Sequence, residues 1–302
     1  MSRELHSLSQ QMLSPARQSG APVGAAVPAV WTPETVDVLG IPLGVIDYEQ
    51  TLAWMEDTIA AGERGFVCVS NVHAVMAAAE DPELLRALLS SSLNVPDGMP
   101  LVWAMNLLGQ SLRTRVYGPE LMARACARAA RSGQRFYLYG GRNQGALVQL
   151  ALTLRQRYPG IRIVGGYSPP HRTLTDEERS SAIEQINAAR PDVVWVGIGV
   201  PKQEKWMLDV RAELQAPILI GVGAAFDFHA GLVPQAPSFM QESGLEWATG
   251  WRTSPVGCGV ATRATTRASC TPSRANWSRT AAPRLTLSAT DRRRAAVWSA
   301  AV

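Results

Sequence analysis

The 302 residues carry 29 Lys and Arg against 25 Asp and Glu, with 46% hydrophobic and 18% charged residues. That is the balance of a soluble globular chain long enough for one large domain or two modest ones. No run of about eighteen apolar residues is present, which argues against a membrane-spanning helix. The four cysteines (Cys68, Cys126, Cys258, Cys270) lack a CxxC spacing, so neither a disulfide framework nor a zinc site is supported and a reducing cytoplasm fits. The net charge of +4 belongs to the end of the chain, because from residue 249 onward arginines recur and Asp291 is the one acidic residue.

Residues 1–35 combine early charge with polar residues and read as a flexible leader, not a signal peptide. From residue 36 to 247 strands and helices alternate. VDVLGIPLGVID suggests a short hairpin at Gly-Ile-Pro, and TLAWMEDTIAAG a helix ended by Gly62. GFVCVSNV reads as a buried strand, and AVMAAAEDPELLRALLSSS as helix broken near Asp81-Pro82. PELMARACARAARSG is a helix closed by Gly133; the strand RFYLYGG and the helix NQGALVQLALTLRQRYPG follow. IRIVGGY, TDEERSSAIEQINAARP, DVVWVGIGVPKQEKWMLDVRAEL and APILIGVGAAFDF continue the pattern, with Thr175 and Glu178 forming a capping-box signature. Apolar strands separated by helices of about twelve residues predict one α/β domain, a Rossmann-like, mostly parallel sheet with helices on both faces.

In such sheets ligands bind beyond the carboxyl ends of the strands, and four segments end strands with unusual residues. In VSNVH, residues 69–73, Ser70 or Asn71 can place a polar group beside a ligand or cap the next helix. His73 reads as structural. In the block VPDGMPLVWAMNLLGQSLRTRVYGPEL, Asp97 sits between Pro96 and Gly98, where a fixed carboxylate can act as a general base or close an Asx turn. Arg113 and Arg115 follow in a loop, either binding a phosphate or standing in solvent. Gly140 and Gly141 in LYGGRNQGA allow close backbone approach before a helix N-terminus that favours anions. In VWVGIGVPKQEKWM, Gly197 and Gly199 end a strand and Pro201 opens a helix, with Lys202, Gln203 and Glu204 next. GVGAAFDFHAG adds Asp227. No DxD, HExxH, GxSxG or GxxxxGK[ST] occurs, so the familiar signatures of metal-assisted transferases, zinc proteases, serine hydrolases and P-loop enzymes are missing.

Taken in order, the SNVH-to-PDG block, FYLYGG, GIGVPKQEKW, GVGAAFDFHAG, QAP and GLEW resemble the WecG/TagA/CpsF glycosyltransferase family over residues 36–247. The resemblance implies an inverting transferase that needs neither metal nor cofactor. It would move a sugar from a UDP-sugar to a polyprenyl-diphosphate-linked sugar at the inner face of the bacterial membrane. Asp97 falls on the family's general base, Arg115 on an arginine that stabilises a diphosphate, and Asn71 and Gln203 on ligands of sugar or phosphate. Ser70, Lys202 and Glu204 are further candidates for substrate contact, and Gly140, Gly141, Gly199 and Asp227 for the nucleotide. Val69 stands where some relatives have Thr, and Gln235 where many have Arg. The exopolysaccharide branch, with glucosyl transfer, is the nearest resemblance; relatives also transfer N-acetylmannosamine or its uronic acid.

Two rivals remain at this level. A nicotinamide-dependent oxidoreductase suits glycine-rich strand ends but lacks GxGxxG with an acidic residue about twenty positions on. A basic interaction protein binding nucleic acid or anionic lipid through its tail leaves the core motifs unexplained. The tail has another reading. Relatives continue after GLEW into an arginine-rich helical appendage that helps bind the membrane. Written as degenerate codons with Ser254 as AGC, and read from each third base, residues 248–269 permit YRLAHEPRRLWRRYARYNPRFL. The expectation is a frameshift near residue 248, leaving residues 248–302 disordered and membrane docking weakened.

Overall fold

The computed structural model describes residues 30–234. Residues 1–29 of the expected leader, residues 235–247 with QAP and GLEW, and the basic tail with its suspected frameshift lie outside the described residues. The last residues of the expected leader are ordered, with Val30 packed on the core, the Glu34 carbonyl accepting from the Val45 amide and Thr35 opening the first strand.

Strand β1 (Thr35–Val38) turns at Leu39 and Gly40, both at positive φ, into antiparallel β2 (Ile41–Gly44). Helix α1 (Tyr48–Ala60) opens with a reciprocal capping box between Asp47 and Gln50 and stops before Gly62. β3 (Gly65–Asn71) runs straight into α2 (Val72–Ala78), and Asp81 caps the separate α3 (Pro82–Ser90). β4 (Leu93–Asp97), α4 (Met99–Leu107) and α5 (Gly118–Ser132) follow; α5 ends at Gly133 in the left-handed conformation. Then come β5 (Arg135–Gly140), α6 (Gln144–Arg157), β6 (Arg162–Tyr167) and α7 (Asp176–Ala189), with Thr175 and Glu178 forming the expected capping box. β7 (Val193–Gly197), α8 (Lys202–Val210), β8 (Ile218–Gly221) and the single turn α9 (Ala225–His229) complete the described chain.

Six strands form one parallel sheet in the order β4-β3-β8-β7-β5-β6. The period-2 rule sorts their side chains onto two faces. Val67, Val69, Val95, Phe136, Leu138, Trp195, Ile218 and Ile220 join one apolar cluster with α1, α5 and α6. Phe66, Cys68, Tyr137, Tyr139, Val194, Val196 and Leu219 join the other, with α2, α3, α4, α7, α8 and the hairpin. Helices thus cover both faces, as a parallel sheet without a wet side requires.

Because every strand runs the same way, all carboxyl ends lie along one edge. The chain leaves β5 outward to β6 but leaves β7 in the opposite direction to β8, which makes the β5/β7 junction a topological switch point. The two strands close tightly there. Gly140 has φ +130°, and a Cβ on it would stand 2.4 Å from the Gly197 carbonyl oxygen; the Gly141 amide donates to that same oxygen at 2.9 Å. Alanine at 140 would meet both backbone strain and a backbone clash. Gly140→Ala is expected to destabilise the domain by about 3 kcal/mol or more, read as a drop in thermal midpoint by circular dichroism.

Candidate active site

The end of β4 carries Asp97, in register with Asn71 at the end of β3. Gly98 follows at φ +114° and lets the chain turn directly into α4. The loop after α4 is fixed at several points. Asn106 donates to the Leu112 carbonyl and accepts from its amide, both at 2.8 Å. The Val116 amide donates to the Pro96 carbonyl at 2.8 Å, and the Tyr117 amide to the Tyr48 hydroxyl at 3.0 Å. This folding-back buries Arg115, 7% exposed, while Arg113 stays in solvent. The Arg115 guanidinium lies 3.9 Å from the Asp97 carboxylate and covers the Tyr117 ring, 4.4 Å from its centre. Burial raises the Tyr48 phenol to about 12, and the negative charge of Asp97 adds to the effect, so Tyr48 remains a neutral hydroxyl beside the ion pair.

Asn71 uses one end of its amide among the described residues. Its Oδ1 accepts from the Ala74 amide at 2.9 Å as the N-cap of α2, while its Nδ2 makes no hydrogen bond to a described residue. Ser70 is enclosed, with its hydroxyl 3.5 Å from Asn94 Oδ1, and Asn94 in turn donates to the Leu88 carbonyl. His73 is exposed.

The second feature is a cleft of about 930 Å³ at the switch point, lined among others by Tyr139, Gly141, Arg142, Gly199, Lys202 and Asp227. Three of the four residues expected at the nucleotide (Gly141, Gly199 and Asp227) thus meet in one cavity. Gly140 stands behind them, enclosed, holding the strand junction. Five cationic side chains (Arg142, Arg172, Arg179, Lys202 and Lys205) line it against three acidic ones, Glu83, Asp209 and Asp227. Arg142 Nε meets Asp227 Oδ2 at 3.0 Å, and the Arg142 carbonyl contacts His171 Nε2. Arg172 forms a two-pronged pair with Glu178 at 2.6 Å, which holds the Glu178 carboxyl down at about 2. Tyr139 and Trp206 stack face to face, with ring centres 3.9 Å apart. Lys205 is shared by Asp81 and Glu83; Lys202 is exposed and forms no ion pair with a described residue.

Pro201 precedes the first helical residue of α8 as its N-cap, one place earlier than the sequence suggests. Gln203 and Glu204, each 1% exposed, point into the protein. Gln203 Oε1 accepts from the Gly223 amide at 3.0 Å and its Nε2 donates to Glu204 Oε1 at 2.8 Å. Gly223 lines the cleft, so Gln203 shapes the cavity wall through the backbone it holds. Glu204 Oε2 has no hydrogen-bond partner among the described residues. Desolvation raises its carboxyl above the ordinary range, and its charge helps push up the buried Cys68 thiol.

Sequence reasoning missed Tyr48, Arg142, His171, Arg172, Trp206 and the Asn106 clamp. Only Asn106 carried a signal, a polar residue near the end of an otherwise apolar helix. Comparison with known proteins decides the class. The model described as "Glycosyl transferase WecG/TagA/CpsF family" matches residues 36–256. The chain belongs to this family. It is a glycosyltransferase, and the nicotinamide-dependent oxidoreductase is set aside. Three similar proteins bear the name N-acetylglucosaminyldiphosphoundecaprenol N-acetyl-beta-D-mannosaminyltransferase. That of Bacillus spizizenii is 28% identical over 220 residues, 71% of this chain and 82% of the relative. One from Staphylococcus aureus is 30% identical over 220 residues, 70% and 82% of the two chains. One from Bacillus subtilis is 31% identical over 177 residues, 59% and 67%. Among the described residues no helix is long and apolar enough to cross a membrane.

The raised Glu204 carboxyl has a stability consequence with a definite sign. The unfolded chain releases this proton at lower pH than the folded one, so stability falls as pH rises above the unfolded value of about 4.5. Glu204→Gln keeps the acceptor for Gln203 and removes the buried charge. Its thermal midpoint is expected to exceed the parent's at pH 8, by roughly 1–2 kcal/mol of stability, and to match it near pH 4.

Proposed function

We propose that this protein transfers a hexosyl group from a UDP-sugar to a sugar linked through diphosphate to a polyprenyl lipid, with inversion at the anomeric carbon. The observation that carries the reading is the Asp97–Arg115 pair on the same sheet edge as the switch-point cleft. Strands in a sheet lie about 4.8 Å apart. The Asp97 end of β4 is therefore about 10 Å from the β8 end, where Gly223 forms the near wall of the cleft.

The donor diphosphate lies among the cleft cations Arg142, Arg172 and Lys202, which neutralise the charge that grows on it as the glycosidic bond breaks. Half-buried Trp206, backed by the enclosed Tyr139 ring, supplies a flat apolar surface for base or sugar. Asp97 accepts the proton of the acceptor hydroxyl as that oxygen bonds to C1, and the electron pair of the broken C1–O bond leaves with UDP. The buried fork of Arg115 fixes the Asp97 carboxylate and meets the acceptor diphosphate from its other edge. Asn71 Nδ2 is a donor within the same corner. None of these steps uses a metal or a cofactor.

The setting is the inner face of the cell membrane, in synthesis of an exopolysaccharide or another cell-surface polysaccharide. The names of the relatives favour N-acetylmannosaminyl transfer to a lipid-linked N-acetylglucosamine. Glucosyl transfer is the second reading, resting on the resemblance of the motif set to the exopolysaccharide branch.

Asp97→Asn keeps the shape of the side chain and removes its basicity. With a panel of UDP-sugars and a polyprenyl-diphosphate-sugar acceptor, kcat is expected to fall about 10²–10⁴-fold, while calorimetric binding of the preferred UDP-sugar stays intact. Turnover near that of the parent would remove Asp97 from the role of base.

A further inference from the structure

Helix α4 buries one side and leaves an apolar one in solvent. Leu101, Val102, Ala104 and Met105 pack inward. On the opposite side Met99 and Pro100 are half-buried, Trp103 is 49% and Leu107 69% exposed, and Leu108, just past the helix end, is 41% exposed. Met99, Trp103 and Leu107 stand at i, i+4 and i+8, so they form one stripe along the helix. A solvent-facing helix side ordinarily carries charge. Here residues 98–117 contain no Asp or Glu; their charges are Arg113 and Arg115. Glu34, exposed on a neighbouring segment, accepts a hydrogen bond from the neutral Gln110 amide at 3.2 Å and keeps its charge at the edge of this face.

The stripe is placed by the same turn that presents Asp97: Met99 is two residues beyond the carboxylate and α4 is capped by Gly98. At its far end the chain exposes Arg113 before folding Arg115 back to Asp97. Trp and Leu beside Arg, in a stretch of chain that supplies no acid of its own, is the composition of a surface that sits at the apolar–headgroup boundary of an anionic membrane. We propose that the outer face of α4, Met99–Trp103–Leu107–Leu108 with Arg113, docks on the anionic lipid surface and brings Asp97 to the headgroup of a membrane-borne acceptor. The direction of the acceptor rests on the proposed function; the docking itself does not. It assigns membrane contact to the folded domain, independently of the basic tail.

The test uses the full chain and vesicles of phosphatidylglycerol and phosphatidylethanolamine in equal parts, pelleted at low and at high salt. High salt screens the attraction of exposed arginines, those of the tail included, and leaves the apolar component. Trp103→Ser combined with Leu107→Ser is expected to weaken high-salt binding about tenfold or more, and Trp103→Phe to retain it. With acceptor embedded in the vesicles, the double variant's loss appears in KM and not in kcat. Asp97→Asn is expected to bind vesicles like the parent while losing transfer, so absence of transfer by the parent would count against the proposed function and leave the docking result standing. Equal high-salt binding by the double variant and the parent, or no binding by either, would overturn the inference. So would a smaller oligomer for the variant in gel filtration, which would make the face a contact between copies. A clearly lowered thermal midpoint would also overturn it, by showing that another segment of the chain covers the stripe.

Discussion

A guanidinium taken out of water at the rim of a sheet is stable only where an opposite charge and hydrogen-bond acceptors meet it. Burial of Arg115 is the constraint around which the β3/β4 corner is organised. The Asp97 carboxylate, the Tyr117 ring and the neutral Tyr48 hydroxyl that holds the Tyr117 amide surround it. The Asn106 clamp and the Val116–Pro96 hydrogen bond keep the loop from swinging the charge back into solvent. Loosening these contacts bears on Asp97 as well, because the Val116–Pro96 hydrogen bond ties the loop to β4, which carries the carboxylate.

The cleft solves a different electrostatic problem. Its cations are numerous, but several already have partners: Arg172 with Glu178, Lys205 with Asp81 and Glu83, Arg142 with Asp227. An anion entering the cleft meets side chains already held in place, so little conformational freedom is lost on binding. The cost is competition, since each carboxylate also repels the ligand. Lys202, exposed at the start of α8, lacks that competition and lies at a helix end whose amides favour negative charge.

Much of this architecture was legible in the chain because it rests on local rules. Alternation in β7 (VVWVG) sends Val194 and Val196 to one face and Trp195 to the other. Thr175, Asp81 and Asn71 are caps by residue type, and Gly62 and Gly133 are stops. The Asp97, Arg115 and Asn71 trio was recognisable from its motif block. What stayed hidden depends on strand order, which no local pattern encodes. That β5 abuts β7, and not β4, puts Gly140 opposite Gly197 and creates the switch point. Tyr48 joins the site from 69 positions away along the chain. For Gln203 and Glu204 the motif named the residues, while their burial, with Gln203 held on the Gly223 amide and on Glu204, depends on where β8 ends.

The two halves of the site come from separate stretches of chain. Asn71, Asp97 and Arg115 precede α5, whereas apart from Glu83 every residue of the cleft follows it. The Asp97 corner and the cleft are therefore built from two consecutive stretches of chain, joined in space by the pairing of β3 with β8 and by α3 against α8, where Lys205 meets Asp81 and Glu83. Such an arrangement lets the lining of the cleft change with little alteration of the Asp97 corner, because Glu83 is the one cleft residue in the upstream stretch among the described residues. Changes to either stretch have to respect the β3–β8 register, Gly65 to Cys68 against Ile218 to Gly221, and the ion pairs of Lys205 with Asp81 and Glu83.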